Sequence, residues 1–424
     1  MRVEVTLLLR GARQVLTLAR ALPPSAAEGS WSPEDLGLVE DGAVAVAGDR
    51  VVAVGPSREV ERAVTLARDA VVIDVGDRVL CPGLVDPHTH SLFVGQRADE
   101  YSARARGEGY AAIASRGGGI ARSVAGVRSA SDEVLTRELR ARLDRMERSG
   151  TTTVEVKTGY ALSLEQELRC LAAIAAAGDR AVPTFLPLHA VPPELRAEPE
   201  GRARYLDDVA RRMLPAVIAQ GHARFVDAYV DGPGFSVAES IPALTAARAA
   251  GLGVRLHVGQ FDDVGGAELA ASVGAASADH LESVSDAGVR AMAEAGVVGV
   301  LLPGAAFSLG QAMPDARRLR AMGMSVALGT DCNPGTSHTE SLPLMAAFAV
   351  RQMGMSTVEA WHAVTRVAAD SLRLPDRGRL IPGARGDLAV MDFESWEALP
   401  YDFGSARAWA VVRGGKVTVA PGGV

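Results

Sequence analysis

Cysteine and lysine are scarce in this 424-residue chain. Its three cysteines, Cys81, Cys170 and Cys332, are odd in number and widely spaced, which does not suit a disulfide framework. We therefore expect a reducing compartment. Its two lysines are Lys157 and Lys416, so arginine carries nearly all of the basic charge. A lysine that persists against this bias is a candidate for a specific role.

Long apolar runs and blocks of like charge are also absent. No apolar stretch approaches the roughly 20 residues that a membrane-spanning helix needs. Arg10 and Arg13 interrupt the apolar N-terminal segment, which makes it a poor signal peptide. The net charge of -7, without any basic cluster, disfavours nucleic acid as a partner. These absences predict a cytoplasmic protein that binds neither membranes nor nucleic acid.

The distribution of strand and helix patterns predicts two domains. The chain is long and, at 48% hydrophobic, apolar enough for one large domain and a smaller one. Residues 1–80 and 380–424 have the pattern of short strands, with glycine and aspartate at the turns. Residues 81–379 alternate between strands and helices, which is typical of βαβ units. We predict an α/β fold, a TIM barrel inserted between the two halves of a small β-sandwich domain.

Eight candidate strands alternate with helical segments, the number that a (β/α)₈ barrel requires. They are residues 81–90, 151–156, 184–190, 224–231, 254–258, 277–281, 297–303 and 325–331. The clearest helix follows Ser131, a suitable N-cap, and carries an apolar stripe that includes Leu135, Leu139 and Leu143. Its pattern ends at Gly150.

Most of the histidines fall where this barrel places its active site, at the C-terminal ends of the strands. They are His88 and His90 after the first strand, His189 after the third, His257 at the fifth and His280 at the sixth. Asp331 ends the eighth strand. Because residues i and i+2 of a strand share a face, His88 and His90 are predicted to bind one metal ion together. His257 and Asp331 complete a set of three imidazoles and one carboxylate, which suits Zn²⁺ or Fe.

This donor set predicts a hydrolase in which a metal-activated water is the nucleophile. Asp331 can accept the proton of that water and pass it to a leaving nitrogen. His280 can polarise the substrate carbonyl or orient the water, although a structural histidine bonded to Asp279 or to the backbone is an alternative. Two-metal barrels of this kind carry a lysine on the fourth strand, whereas Lys157 follows the second. We therefore predict one metal ion, with Lys157 lining the site or paired with Glu155.

Several segments in a common order resemble the amidohydrolase superfamily and, within it, the imidazolonepropionase family. They include PGLVDPHTHSLFVGQR (82–97), TTTVEVKTGYAL (151–162), FLPLHAVP (185–192) and ALGTDCNPGTS (327–337), and the resemblance extends from about residue 40 to 390. It implies metal-dependent hydrolysis of 4-imidazolone-5-propanoate to N-formimidoyl-L-glutamate in histidine degradation. It also implies a homodimer with one Zn²⁺ or Fe in each subunit.

The resemblance assigns a role to each site residue. The implied metal ligands are His88, His90, His257 and Asp331, and His280 is expected close to the reacting carbonyl. The implied substrate contacts are Arg97, Tyr160, His189, Gln260, Asn333, Gly335 and Thr336.

Simple chemistry supports part of this assignment. A propionate needs a cation, and the guanidinium of Arg97 can bind it through two hydrogen bonds, although a surface arginine is the alternative. Tyr160 offers a hydroxyl or is a packing aromatic. The NPGTS segment, residues 333–337, offers backbone N–H groups and a hydroxyl that could bind an anion, or is simply a turn.

The sequence departs from many relatives at Gln260, where a glutamate is common. A glutamine can donate a hydrogen bond but cannot act as a base, so the proton transfer is assigned to Asp331.

Three alternative functions stay open. A hydantoinase or dihydroorotase type would need the missing lysine of the fourth strand, and a nucleobase deaminase would have glutamate at position 260. A catalytically silent barrel that serves as a binding protein is the third.

Overall fold

The computed structural model describes residues 2–22, 31–109, 112–113 and 117–422. In chain order, its strands are β1 (Val3–Leu16), β2 (Leu38–Ala47), β3 (Arg50–Pro56), β4 (Val64–Pro82), β5 (Leu84–Asp86), β6 (Thr151–Lys157), β7 (Ala181–Leu188), β8 (Phe225–Val230), β9 (Gly253–Val258), β10 (Ser277–His280), β11 (Val298–Leu301), β12 (Val326–Leu328), β13 (Leu388–Met391), β14 (Ala408–Arg413) and β15 (Lys416–Val419). None of the helices in these ranges is both long and apolar enough to cross a bilayer.

The helices connect the strands and cover the barrel. The α-helices are Ser57–Ala63, Ala98–Ala105, Ile120–Ser129, Asp132–Arg148, Leu164–Ala175, Gly201–Asp208, Leu214–Gln220, Val237–Ala249, Gly266–Ser272, Asp286–Glu294, Pro303–Leu309, Ala316–Ala321, Leu342–Gln352, Thr357–Ala363, Arg366–Ser371 and Ala398–Tyr401. Three 3₁₀ turns (Pro33–Leu36, Gly178–Arg180 and Pro193–Leu195) and one π turn (Val209–Met213) complete the set.

The strands β5 to β12 form an eight-stranded sheet in chain order, and every neighbouring pair is parallel. Its two edges meet where Thr89 forms a parallel bridge with Cys332. At the same place the carboxylate of Asp86 accepts hydrogen bonds from the N–H of Thr330 at 3.1 Å and from its hydroxyl at 2.6 Å. We call this junction of β5 and β12, with Asp86, Thr89, Thr330 and Cys332, the seam. The predicted (β/α)₈ barrel is confirmed.

A separate mixed sheet is built from both ends of the chain, as the sequence predicts. Its seven strands have the order β15-β14-β13-β4-β1-β2-β3. The strands β1 and β4 are parallel, and the remaining neighbours are antiparallel. Leu388 of β13 pairs with Pro82 of β4, so the C-terminal strands lie against the segment that leads into the barrel.

Three details of the predicted strands are wrong. The predicted last barrel strand, 325–331, is too long, because β12 covers Val326–Leu328. The strands of residues 1–80 are not short, since β1 has 14 residues and β4 has 19. The predicted first barrel strand, 81–90, is also too long, because β5 covers Leu84–Asp86 alone. Cys81 and Pro82 instead pair with β13 of the other sheet, whose backbone hydrogen bonds hold them. His88 and His90 therefore follow the strand and lie in the segment of the Thr89 bridge.

The helix Asp132–Arg148 forms as its sequence predicts. The hydroxyl of Ser131 accepts the N–H of Val134 at 3.4 Å and caps the first turn. The apolar stripe is buried, and Leu139 belongs to the same apolar cluster as Val154 and Val156 of β6. The helix thereby supports the strand that ends at Lys157.

Candidate active site

A cavity of about 770 Å³ opens at the C-terminal ends of the barrel strands. Its lining contains three of the four predicted metal ligands, the predicted catalytic residue His280 and all of the predicted substrate contacts. These residues are His90, His257, Asp331, His280, Arg97, Tyr160, His189, Gln260, Asn333, Gly335 and Thr336. Residues far apart in the sequence therefore share one pocket. Tyr229 of β8 and Leu309 after β11 also line the cavity, so all eight strand ends or the segments that follow them contribute, and the site depends on the closed barrel.

Three imidazoles converge at the base of this cavity. The ligand nitrogens of His88, His90 and His257 all lie within 4.8 Å of one another. The Nε2 atoms of His90 and His257 are 3.2 Å apart. Nε2 of His88 is buried and has no hydrogen-bond partner among the described residues. Buried imidazole nitrogens that face each other without partners fit a shared metal cation, and the donor set matches N/O ligation.

The carboxylate of Asp331 completes this cluster. Its Oδ1 lies 3.5 Å from Nε2 of His88 and 3.6 Å from Nε2 of His90. Asp331 has a φ of 49° and His280 a φ of 86°, which are left-handed values that non-glycine residues rarely adopt. Such strained backbone is concentrated at functional sites, where the surrounding fold holds it in place.

Burial shapes the protonation of these groups. It lowers the pKa of His88 and His90 well below the ordinary value of imidazole. Both rings are therefore neutral, which is the form that binds a metal ion. Burial also raises the pKa of Asp331 to about 6. At His280, burial lowers the pKa, but the carboxylates of Glu282 and Asp331 outweigh it and raise the pKa above its ordinary value. The site therefore combines neutral imidazoles with the carboxylate of Asp331 and with His280, whose pKa is shifted in favour of the protonated form.

Two buried aspartates that the sequence reasoning did not single out orient the imidazoles. Asp279 Oδ2 lies 2.6 Å from Nδ1 of His88, and Asp227 Oδ1 lies 3.1 Å from Nδ1 of His257. A carboxylate at Nδ1 fixes the N–H there and leaves Nε2 for a metal. Asp279 therefore orients His88 and not the neighbouring His280. The alternative that His280 is a structural histidine bonded to Asp279 is wrong. An acidic residue inside an apolar strand, as in RFVDAYVD, is the signal that could have revealed Asp227.

Lys157 lies beneath the cavity and is not among the residues that line it. Its side chain is fully buried, and Nζ is 2.8 Å from Oε1 of Glu155 and 2.7 Å from Oδ2 of Asp227. Of the two predicted positions, the pair with Glu155 is confirmed. The fourth barrel strand, β8, contains no lysine.

Arg97 is held in the wall of the cavity and is 8% exposed, so the surface-arginine alternative is wrong. Its Nε donates to Oε2 of Glu100 at 2.8 Å. Gly335 lies against the guanidinium, and a Cβ atom at that position would be 2.6 Å from Nη1 of Arg97. The carbonyl of Gly335 accepts a hydrogen bond from Nη2 of Arg104 at 2.7 Å. The absence of a side chain at Gly335 therefore makes room for Arg97.

Two backbone N–H groups of the NPGTS turn donate hydrogen bonds within the turn itself. Oδ1 of Asn333 accepts the N–H of Gly335 at 2.8 Å and that of Thr336 at 2.7 Å. Nδ2 of Asn333 donates to the carbonyl of Asp331 at 2.7 Å. These two N–H groups are therefore engaged within the turn, in contrast to the predicted anion-binding role. The turn instead fixes the backbone that follows Asp331.

The opposite wall of the cavity presents rings and an amide. Nδ1 of His189 donates to the carbonyl of Gly159 at 2.9 Å, which directs Nε2 away from that loop. The rings of Tyr160 and His189 lie 5.3 Å apart. The N–H of Gln260 donates to Asp231 at 2.7 Å, and its side-chain oxygen accepts the hydroxyl of Tyr229 at 3.2 Å. This wall offers flat surfaces and hydrogen-bonding groups to a small planar ring.

Comparison with known proteins decides the family. A model described as "Amidohydrolase family" matches residues 100–419. The imidazolonepropionase of Geobacillus kaustophilus is 42% identical over 99% of each chain, and that of Symbiobacterium thermophilum is equally similar over the same shares. The imidazolonepropionase of Solibacter usitatus is 43% identical, over 96% of this chain and 97% of its own. The chain belongs to the imidazolonepropionase family of amidohydrolases.

Solved structures of more distant amidohydrolases share the fold of this family member. A zinc-bound adenosine deaminase from Xanthomonas campestris has a TM-score of 0.71 at 18% identity, with 100% of this chain and 95% of that one covered. Escherichia coli guanine deaminase has a TM-score of 0.71 at 15% identity, with 97% and 98% covered. The three-histidine cluster and the family together establish a metal-dependent hydrolase.

Proposed function

We propose that the chain hydrolyses 4-imidazolone-5-propanoate to N-formimidoyl-L-glutamate, the reaction implied for its family. The observation that carries this proposal is the identity of 42% over 99% of each chain with imidazolonepropionases. The site supports it, because three imidazoles and a carboxylate meet at the base of a cavity that has an arginine in its wall. No feature of the site favours a deaminase, another cyclic amidohydrolase or a silent barrel.

In this proposal His88, His90, His257 and Asp331 hold one Zn²⁺ ion, with Fe as the alternative. When bound, the metal supplies the Lewis acidity that makes water nucleophilic at neutral pH. Asp279 and Asp227 keep the imidazoles of His88 and His257 oriented toward the ion.

The side chains around the cluster then assist the opening of the ring. The oxygen of water adds to the ring carbonyl carbon, and the amide C–N bond breaks. Asp331, with its pKa raised by burial, takes the proton from water at a carboxylate oxygen and delivers it to the leaving nitrogen. The carboxylates of Glu282 and Asp331 raise the pKa of His280 in favour of its protonated form, and a ring N–H of His280 donates a hydrogen bond to the developing oxyanion.

The remaining cavity residues bind the substrate. The guanidinium of Arg97 lies in the space that the missing side chain of Gly335 leaves, and there it pairs with the propionate. His189, Tyr160 and Gln260 contact the ring from the opposite wall. Asn333, Gly335 and Thr336 line the cavity and contact the substrate in this proposal, and the mutual hydrogen bonds of Asn333 and Thr336 also hold the loop behind Asp331.

The decisive experiment is steady-state hydrolysis of freshly prepared imidazolonepropionate, followed as loss of the imidazolone absorbance. We expect turnover that a chelator abolishes and that Zn²⁺ or Fe²⁺ restores, and elemental analysis should give one metal ion per chain. A folded, metal-loaded protein without turnover would overturn the proposed substrate. It would shift the assignment to another cyclic amide or to the silent barrel.

The homodimer and the cytoplasmic location belong to the same proposal. Both follow from the family resemblance and from the sequence composition. Light scattering of the purified protein tests the dimer, and fractionation of the native cells tests the location.

A further inference from the structure

A dry cluster of five charged side chains lies beneath the three histidines. Lys157, Arg255, Glu155, Asp227 and Asp279 all have side chains with no exposed surface. Two cations thus face three carboxylates in the barrel interior. Burying such charges is costly unless each is paired, so every contact in the cluster constrains its neighbours.

The two aspartates of this cluster divide their contacts between a cation and an imidazole. In Asp227, Oδ1 lies 3.1 Å from Nδ1 of His257, while Oδ2 lies 2.7 Å from Nζ of Lys157. In Asp279, Oδ2 lies 2.6 Å from Nδ1 of His88 and 3.8 Å from the same Nζ. One ammonium group therefore reaches both of the carboxylates that orient the metal-binding rings.

Arg255 supports the same arrangement from the other side. Its Nη2 donates to Oδ2 of Asp279 at 3.2 Å and to the carbonyl of Pro87 at 2.7 Å. Glu155 accepts the N–H of Thr89 at 3.2 Å, on the segment between the two histidines, and its other oxygen pairs with Lys157. The cluster thus holds the backbone of the His88–His90 segment as well as the rings.

We propose that Lys157 is a positioning residue for the metal site. Its ammonium group holds Oδ2 of Asp227 so that Oδ1 stays on His257, and it steadies Asp279 against His88. Without it, the Asp227 carboxylate is free to rotate and has lost its nearest cation. The two rings then lose a fixed orientation toward the common ion. This role concerns the metal and is independent of the substrate proposed above.

The test is the metal affinity of Lys157→Met, measured by competition with a chromophoric chelator for Zn²⁺. Loss of a group that orients ligands weakens metal binding by about 10–100-fold, and we expect a change of that size. The visible absorption of the Co²⁺-loaded protein should also change, because it reports the ligand geometry. Lys416→Met is the matched control, since Lys416 is exposed on β15, far from the cluster in the other sheet, and should leave both readouts unchanged.

Lys157→Met leaves an excess negative charge in the barrel, so a second variant separates positioning from charge balance. Lys157→Met combined with Glu155→Gln removes one charge of each sign, and Glu155→Gln alone is its reference because Oε2 of Glu155 accepts the N–H of Thr89. We expect the folded double variant to bind Zn²⁺ about 10–100-fold more weakly than Glu155→Gln alone. Equal affinity and equal Co²⁺ spectra of these two variants would overturn the proposal and reduce Lys157 to a partner for Glu155.

Discussion

Oδ1 of Asp331 lies 3.5 Å from Nε2 of His88, across the seam where the first and last barrel strands meet. The proposed mechanism uses this one carboxylate both as a metal ligand and as the proton acceptor. The backbone holds it there in a left-handed conformation, with φ of 49°.

We predict that Asp331→Asn abolishes most of the turnover. An amide cannot accept the proton of water, and removing a general base costs about 10²–10⁴-fold in rate. Turnover of imidazolonepropionate and the thermal melting curve are the measurements, and the melting curve should keep a single folded transition. Asp144→Asn, on the outer helix Asp132–Arg148, is the control and should have unmodified activity. Near-normal turnover of Asp331→Asn would refute the proton-transfer role.

We predict that Arg97→Ala mainly weakens substrate binding. Hydrogen bonds to a charged group contribute about 1.5–3 kcal/mol, so KM should rise roughly 10–100-fold with a smaller change in kcat. Gly335→Ala should act in the same direction, since its Cβ would lie 2.6 Å from Nη1 of Arg97. Arg137→Ala, an exposed arginine paired with Glu138, is the control. An unchanged KM for both Arg97→Ala and Gly335→Ala would exclude Arg97 from the substrate site.

We predict a pH-dependent stability that is due to Glu167. This buried carboxyl accepts the N–H of Leu162 at 2.7 Å, and burial raises its pKa from 4.5 to about 7. A raised carboxyl pKa favours folding while the group is protonated, so this contribution is complete below pH 4.5 and is lost as the pH rises through 7. At about 1.4 kcal/mol per pKa unit, the loss is about 3 kcal/mol.

Glu167→Gln tests this sign, because the amide does not ionise. Urea unfolding at pH 5 and pH 8 should show the unmodified chain losing about 3 kcal/mol relative to the variant as the pH rises. A constant difference between the two proteins over this range would show that Glu167 does not titrate as proposed.

We predict that amine-reactive reagents distinguish the two lysines. Lys157 has no exposed surface, whereas Lys416 is exposed. Reductive methylation of the native protein, read by mass spectrometry of peptides, should modify Lys416 and leave Lys157 unmodified. Both should react in denaturant. Methylation of Lys157 under native conditions at the rate of Lys416 would contradict its burial.

The barrel and much of the cavity could be predicted because strand ends meet at one edge of a parallel barrel. This rule alone brings His189, His257 and His280 together. Finer features depend on hydrogen bonds between distant segments, which no local pattern records. Cys81, for example, belongs to the small sheet because β13 pairs with it from the far end of the chain.

The aspartates behind the histidines illustrate what the sequence does not contain. Asp279 precedes His280 directly, yet its carboxylate contacts His88, while His280, with a φ of 86° that departs from strand geometry, lines the cavity itself. The NPGTS turn is a second example. The sequence suggested that its N–H groups could bind an anion, but two of them donate to the side chain of Asn333. Both outcomes depend on three-dimensional register and not on residue type.

The seam also orders events during synthesis. His88 and His90 emerge from the ribosome early, whereas Asp331 and Cys332 emerge only after the last barrel strand has been made. A nascent chain therefore cannot assemble the four proposed ligands until the circle of strands is complete. In the proposed site, an ion held by His88, His90 and Asp331 would have ligands on both sides of the seam, from the two edges that were last to meet.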